Sequence, residues 1–155
     1  MISPDWIEVQ PFPFAAARRT FTGAAERDGS IAIRYLRRPD KSLVAVARFG
    51  PLSVGAPGQA HGGAVLTVLD EALGAALWID GLPGITVRLN SEFRRRVPLN
   101  SEFLVETRVT RRRSRLAWVE GELLSAGGVC HARADAEFLL LDKERLRRLY
   151  AGELP

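Results

Sequence analysis

The apolar and polar positions change period along the chain, and each change marks an element. From Ser30 onward Ile31, Ile33 and Tyr35 alternate with Ala32 and Arg34, and Leu43-Val44-Ala45-Val46-Ala47 follows a Pro39-Asp40-Lys41 turn. This pattern predicts an antiparallel hairpin. Gly50, Pro51, Gly55, Pro57 and Gly58 then punctuate a loop that neither helix nor strand tolerates, ending at His61-Gly62-Gly63. Residues 64–78 are rich in helix formers, with apolar side chains on nearly every side of the wheel, which predicts an interior helix. Strand-like runs follow at 85–93, 103–110, 116–124 and 130–141, split by Pro98-Leu99-Asn100, by Arg111-Arg112-Arg113-Ser114 and by Ala126-Gly127-Gly128. Their spacing predicts a meander of long strands. In the last run Cys130, Ala132, Ala134, Ala136 and Phe138 share a packed face, opposite His131, Arg133, Asp135 and Glu137 on a wet one.

Residues 1–30, with Pro4, Pro11, Pro13 and an alanine-rich piece at 14–17, read as a short helix or extended arm covering the domain. Residues 143–150 read as a short charged terminal helix. Two strands, one buried helix and four more strands imply the α+β class: a curved antiparallel sheet of about six strands wrapped around one long central helix.

Composition narrows the picture. A chain of 155 residues with 46% hydrophobic content is expected to form one domain over 1–155, with 142–155 as terminal helix and tail. The single cysteine, Cys130, forms no internal disulfide, and no histidine or cysteine spacing suits a zinc site, so a reducing cytoplasm is expected. The stretch 1–6 lacks the features of a secretory leader, and no apolar run approaches the ~20 residues of a membrane span. A net charge of +4 and a pI near 10.0 suit a phosphate-bearing partner but are too mild and dispersed to argue for nucleic acid.

Several residues stand out for their chemistry. Gly62 and Gly63, opening a helix, let the backbone approach a ligand and aim unpaired N–H groups at developing negative charge. Asp70 lies on an otherwise apolar helix. Its neighbour Glu71 is equally able to act as a base but points about 100° away round the wheel. His61 is read as a cap or a substrate-orienting residue. Cys130 aligns with alanines and reads as core, His131 as a solvated surface residue, and Asp135 as a surface charge. Trp78 and Phe93 read as core, Trp78 with the option of bordering an acyl tunnel. Arg94-Arg95-Arg96 and Arg111-Arg112-Arg113 with Arg115 are either solvated strand ends or phosphate ligands, for which the guanidinium fork is suited.

The pieces His61-Gly62-Gly63-Ala64, Asp70, Thr86-Val87-Arg88-Leu89-Asn90 and Phe93-Arg94-Arg95-Arg96-Val97-Pro98 resemble, in order and spacing, the hotdog-fold acyl-CoA thioesterases of the PaaI-type branch, including its Asp/Thr-type members. The resemblance covers roughly half of the chain, 61–141. It implies hydrolysis of an acyl-CoA to free acid and coenzyme A, without cofactor or metal. Asp70 would be general base or nucleophile, an N–H of Gly62 or Gly63 the oxyanion donor, and Thr86 a positioner of water, with His61 shaping the turn. Arg94, Arg95, Arg96, Arg111 and Arg113 are then candidates for the coenzyme A phosphates. Many relatives carry asparagine six residues before the histidine, where this chain has Gly55.

Helix geometry adds a consequence. Nine residues at ~100° and ~1.5 Å each put Asp70 opposite His61 and roughly 13 Å along the axis, so one subunit cannot join the two groups. A homodimer with antiparallel helices would make two shared sites; a homotetramer, as a dimer of dimers, stays open. The competing expectation is a non-catalytic protein that binds acyl-CoA or acyl-carrier protein. A hotdog hydratase would want a close histidine and aspartate pair, which the sequence does not offer.

Overall fold

The computed structural model describes residues 2–14, 21–22 and 29–152. The elements are β1 (Ile7–Val9), β2 (Ile31–Arg37), β3 (Leu43–Phe49), a 3-10 turn (Pro51–Ser53), α1 (Gly62–Trp78), β4 (Gly84–Phe93), β5 (Glu102–Arg113), β6 (Leu116–Ser125), β7 (Cys130–Leu140) and α2 (Lys143–Ala151). They form the α+β arrangement expected: one antiparallel sheet and a central helix packed against β3 to β7.

The sheet has seven strands in the order β1-β2-β3-β5-β6-β7-β4, one more than the expected six. The extra strand comes from the proline-rich arm, where Ile7 to Val9 pair with Tyr35 to Arg37. The arm's other expected element, a helix near its alanine-rich piece, falls largely outside the described residues. Of the four strands after α1, β5, β6 and β7 form the expected meander and β4 does not join it in order. The connection through α1 carries the chain across the sheet, so β4 emerges at the far edge and pairs with β7 rather than β5. The arginine run expected to break β5 from β6 is part of β5 instead. A bulge between Val109 and Arg111 turns the strand, Arg111 stacks 4.8 Å over Trp118, and the reversal waits for Ser114 at φ 52°.

The helix sits deep because both sides of the contact are shaped for it. Val68, Leu69, Ala72, Leu73, Ala75 and Leu77 are fully enclosed, facing Ala132, Ala136 and Phe138 of β7 and Val105, Ala117, Val119 and Leu123 of β5 and β6. At Gly121 a Cβ would lie 2.9 Å from the Leu73 side chain and 3.2 Å from the Glu106 carbonyl, so a larger residue there would push Leu73 and the helix outward. Burial leaves one stripe of α1 incomplete: Gly63, Leu66, Thr67 and Asp70, spaced along a single face, are exposed or half-exposed. Beside it β4 forms an open sheet edge carrying Val87 and Phe93, each 54% exposed, and Ile85 at 40%.

Candidate active site

The loop before α1 is irregular but tightly held. His61 N–H donates to the Ser53 carbonyl (2.7 Å), Ala60 N–H to Val97 (2.8 Å) and Gly55 N–H to Gln59 (2.9 Å). Gly55 rests against the histidine: a Cβ there would lie 2.8 Å from the His61 Cα, so the position reserved for asparagine in many relatives admits no side chain in this backbone. His61 then caps the helix. Its carbonyl accepts from Ala64 and Val65, and its Nδ1 accepts the Gly63 N–H at 2.9 Å.

That cap separates two donors the sequence leaves equivalent. The Gly63 N–H is satisfied by the imidazole, whereas the exposed Gly62 N–H has no partner among the described residues. The free donor, at the positive end of the helix, opens onto a cleft of about 590 Å³ lined by Gln59, Gly62, Phe93, Arg94, Arg95 and Arg96. Phe93, expected in the core, is instead largely exposed, its ring 3.6 Å from where a Gly62 Cβ would stand. Glu92 holds Arg94 at 3.4 Å. Arg95 and Arg96 make no ion pair among the described residues.

Two turns further along α1, Asp70 is half-buried, and its Oδ1 accepts a hydrogen bond from the Thr86 hydroxyl at 2.9 Å. Thr86 reaches it from the start of β4, beside a bulge that leaves Val87 out of the register with β7. Eight residues separate Gly62 from Asp70 on one helix, ~12 Å along the axis, so the chain does not join the two by itself. The arginine clusters also part company. Arg94 and Arg95 N–H groups donate to the His131 carbonyl, whereas Arg113 pairs with Leu116 and through it reaches the level of Leu139, roughly 25 Å away along β7. Arg111 and Arg113 therefore do not line the Gly62 cleft of their own chain.

The remaining candidates fall elsewhere. Glu71 turns away from Thr86, accepts from the Thr22 hydroxyl at 3.0 Å, and has its pKa raised, first by burial and then by the charge of Asp70. The nearby Tyr35 hydroxyl is pushed up too, mainly by burial and secondarily by Glu71. Cys130, read as core, is only half-buried; burial raises its thiol, with the nearby Glu122 charge adding to this, and its Sγ lies 3.4 Å from the Ala132 carbonyl. His131, expected to be merely solvated, is a structural tie instead: its ring meets Phe103 edge-on at 5.0 Å and its Nδ1 contacts the Arg96 carbonyl. Asp135 is exposed, as expected, and accepts from Asn90. Trp78 packs edge-on against Phe12 and Phe14. A wider groove of about 810 Å³ runs over the outer face of the sheet, and several of its charges pair with one another, as Arg108 does with Glu120 at 3.1 Å. The sequence reading passed over Gln59, which lies in a glycine- and proline-rich loop and carries no periodic signal.

Residues 57–131 match the family model described as the thioesterase superfamily. Acyl-coenzyme A thioesterase THEM4 of Bos taurus is 31% identical over 112 residues, 72% of this chain and 46% of that protein. The chain spans about half the length of such relatives. Among solved structures, the E. coli PaaI protein from the phenylacetic acid degradation operon is similar with a TM-score of 0.65 at 14% identity, over 77% of this chain and 85% of that one. A hypothetical thioesterase protein from Streptococcus pneumoniae TIGR4, solved with coenzyme A, gives 0.63 at 17% identity, over 72% and 88% of the two chains. That protein has also been solved with an aspartate and, separately, a threonine changed to alanine. These structural likenesses show the fold.

Proposed function

We propose that this chain, whose residues 57–131 match the thioesterase superfamily model and whose fold is that of the hotdog thioesterases, hydrolyses an acyl-CoA thioester at a site shared between two copies of itself. The observation that carries the reading is the half-buried Asp70 carboxylate, held by Thr86 on a mostly apolar helix that begins at a Gly62 N–H without a partner among the described residues.

Thr86 occupies one carboxylate oxygen of Asp70, which leaves the other to accept a proton from water. The hydroxide so formed attacks the thioester carbon, and the carbonyl oxygen takes the negative charge facing the Gly62 N–H of the other protomer. Collapse of the tetrahedral species breaks the C–S bond; the acid leaves as one product, and the thiolate takes up the proton as the other. His61 contributes by occupying the Gly63 N–H, which fixes the turn and leaves one donor directed outward. Arg95 and Arg96, free of ion pairs at the cleft, suit the diphosphate and 3′-phosphate of coenzyme A, with Arg94 beside them.

The shared site follows from the open surfaces. The half-exposed stripe from Gly63 to Asp70 and the apolar edge strand β4 lie side by side, the pair of features an antiparallel two-fold contact would cover. Such a contact brings Asp70 of one copy toward Gly62 of the other.

The test is release of free thiol from a panel of acyl-CoAs by wild type and Asp70→Asn. The variant keeps the shape of the side chain and its Thr86 contact but loses the base, so kcat is expected to drop at least a hundredfold with the melting temperature retained. A folded Asp70→Asn with wild-type turnover would overturn the mechanism, and binding without turnover by wild type would favour the non-catalytic alternative.

A further inference from the structure

A second cleft, of about 410 Å³, meets the start of α1 on the side away from the arginines. Phe21, Leu52 and Val54 form its rim, with the buried Ile31 and half-buried Ala64 deeper in it. It shares no lining residue with the Gly62 cleft, and the helical period shows why. At ~100° per residue Gly62 and Val65 face one side of α1, and Gly63, Ala64 and Thr67 face roughly the opposite one. Asp70 lies on the arc between them, within the half-exposed stripe. The rim gathers exposed apolar side chains, Phe21 at 74% and Leu52 at 69%, and such a grouping in water marks a surface suited to an apolar ligand. Polar groups of the lining are engaged elsewhere. The Ser53 hydroxyl donates to the Gly50 carbonyl at 2.8 Å, the Thr67 hydroxyl donates to the Gly63 carbonyl at 2.9 Å, and His61 Nδ1 is taken by the Gly63 N–H. No Asp, Glu, Lys or Arg lines the cleft among the described residues.

We infer that this cleft receives the acyl group of the thioester and selects uncharged, apolar acyl groups over those that end in a carboxylate. The inference rests on the thioesterase reading of the Gly62 turn and names the class of acyl group that site takes. A coenzyme A thioester has two unlike limbs that meet at the reacting carbon. With its phosphates toward Arg95 and Arg96 and its carbonyl oxygen at the Gly62 N–H, the other limb leaves past Gly63, where the apolar rim begins. The stripe through which the other protomer would present its Asp70 lies between the limbs, at the bond that is cut. Selectivity follows from desolvation. A terminal methyl or phenyl group gains by leaving water for Phe21, Leu52 and Val54, whereas a terminal carboxylate gives up hydration and finds no cation in the lining to replace it. Leu52 stands at the mouth, exposed enough to be exchanged without disturbing the core, and the preference is read through it.

The experiment titrates wild type and Leu52→Arg calorimetrically with three unreactive thioethers: S-methyl-, S-hexyl- and S-carboxypentyl-coenzyme A. Wild type should bind the hexyl compound about tenfold more tightly than the methyl one, and the carboxypentyl compound no more tightly than the methyl one. Leu52→Arg should lose about tenfold on the hexyl compound and gain about tenfold on the carboxypentyl compound. The methyl compound, which stops short of the rim, should be unchanged. Phe21→Ala, at a second exposed position of the rim, should repeat the loss on the hexyl compound alone. Equal affinity of wild type for the methyl and hexyl compounds would overturn the assignment. So would substitutions that shift all three alike, which would mark the rim as a contact between copies or with coenzyme A itself. Turnover is read separately: wild type should cleave hexanoyl-CoA faster than adipoyl-CoA, and Leu52→Arg should narrow the gap. If the binding order holds while no thioester is cleaved, the hydrolytic reading falls and the acyl pocket stands.

Discussion

Gly62→Pro removes one backbone N–H and almost nothing else. Proline is favoured at the first position of a helix, where the missing N–H has no intrahelical partner. It demands an extended residue before it, and His61 is already at φ −63°, ψ 140°. A side chain at position 62 meets Phe93 at 3.6 Å, an ordinary contact, and the cap survives because it uses the Gly63 N–H. Stability should therefore stay within about 0.5 kcal/mol of wild type, read as an unchanged melting temperature. Losing an oxyanion donor costs ~3–4 kcal/mol in the chemical step, so thiol release at saturating acyl-CoA should slow by about 10²–10³, with KM moving much less. The same variant tests the sharing of the site. Refolded as an equal mixture with Asp70→Asn, half of the dimers contain one copy of each, and each of these carries one intact and one doubly damaged site. Activity should then return to about a quarter of wild type. A folded Gly62→Pro with full turnover would refute the assignment of the donor, and a mixture that stays inactive would refute the pairing of Asp70 with the neighbour's Gly62.

Glu71→Gln probes the buried carboxyl that is not assigned to chemistry. Because its folded pKa is raised, its penalty on the fold is absent below the ordinary value of 4.5 and grows as pH rises through the folded value; the variant should gain melting temperature relative to wild type at pH 7.5 but not at pH 4, and parallel curves would contradict this. Val87→Lys puts a charge on the open edge of β4, at the bulge where no ladder partner is lost. Light scattering should report a shift toward monomer and the thiol assay a matching loss of turnover, whereas an active monomer would remove the need for a second copy.

How much of this was legible in the sequence depends on the range of the interaction concerned. The helix and the long strands declare themselves because a period of 3.6 or 2 is written in neighbouring residues. β1 does not, since three residues between prolines carry no period and are held only by pairing with β2. The placement of β4 beside β7 was equally hidden, because strand order is decided by long-range pairing rather than by the strand's own pattern. Charge misled at Arg111–Arg113, where outward-facing arginines, one of them stacked on Trp118, continue a strand that composition alone would end. At the site, Asp70 and Thr86 were singled out by resemblance and the fold joins them by a hydrogen bond, but the choice between Gly62 and Gly63 as the free donor turns on one rotamer of His61.

Under the proposed dimer, the open surface of the chain and the separation of Asp70 from Gly62 have a common physical root. An edge strand with exposed Ile85, Val87 and Phe93 leaves both apolar area and backbone hydrogen-bonding groups facing water, and the neighbouring stripe of α1 adds Leu66 and the methyl of Thr67. Covering that surface is favourable whether or not a substrate is present. Asp70 stands on the stripe and Thr86 on the edge strand, so the contact that would shield the apolar surface also removes water from the carboxylate and faces it with a glycine N–H that one helix, ~12 Å long between the two positions, keeps out of its own reach. On that proposal association and assembly of the catalytic groups would be a single event, and selection for a stable dimer would maintain the active site without a separate device to hold it.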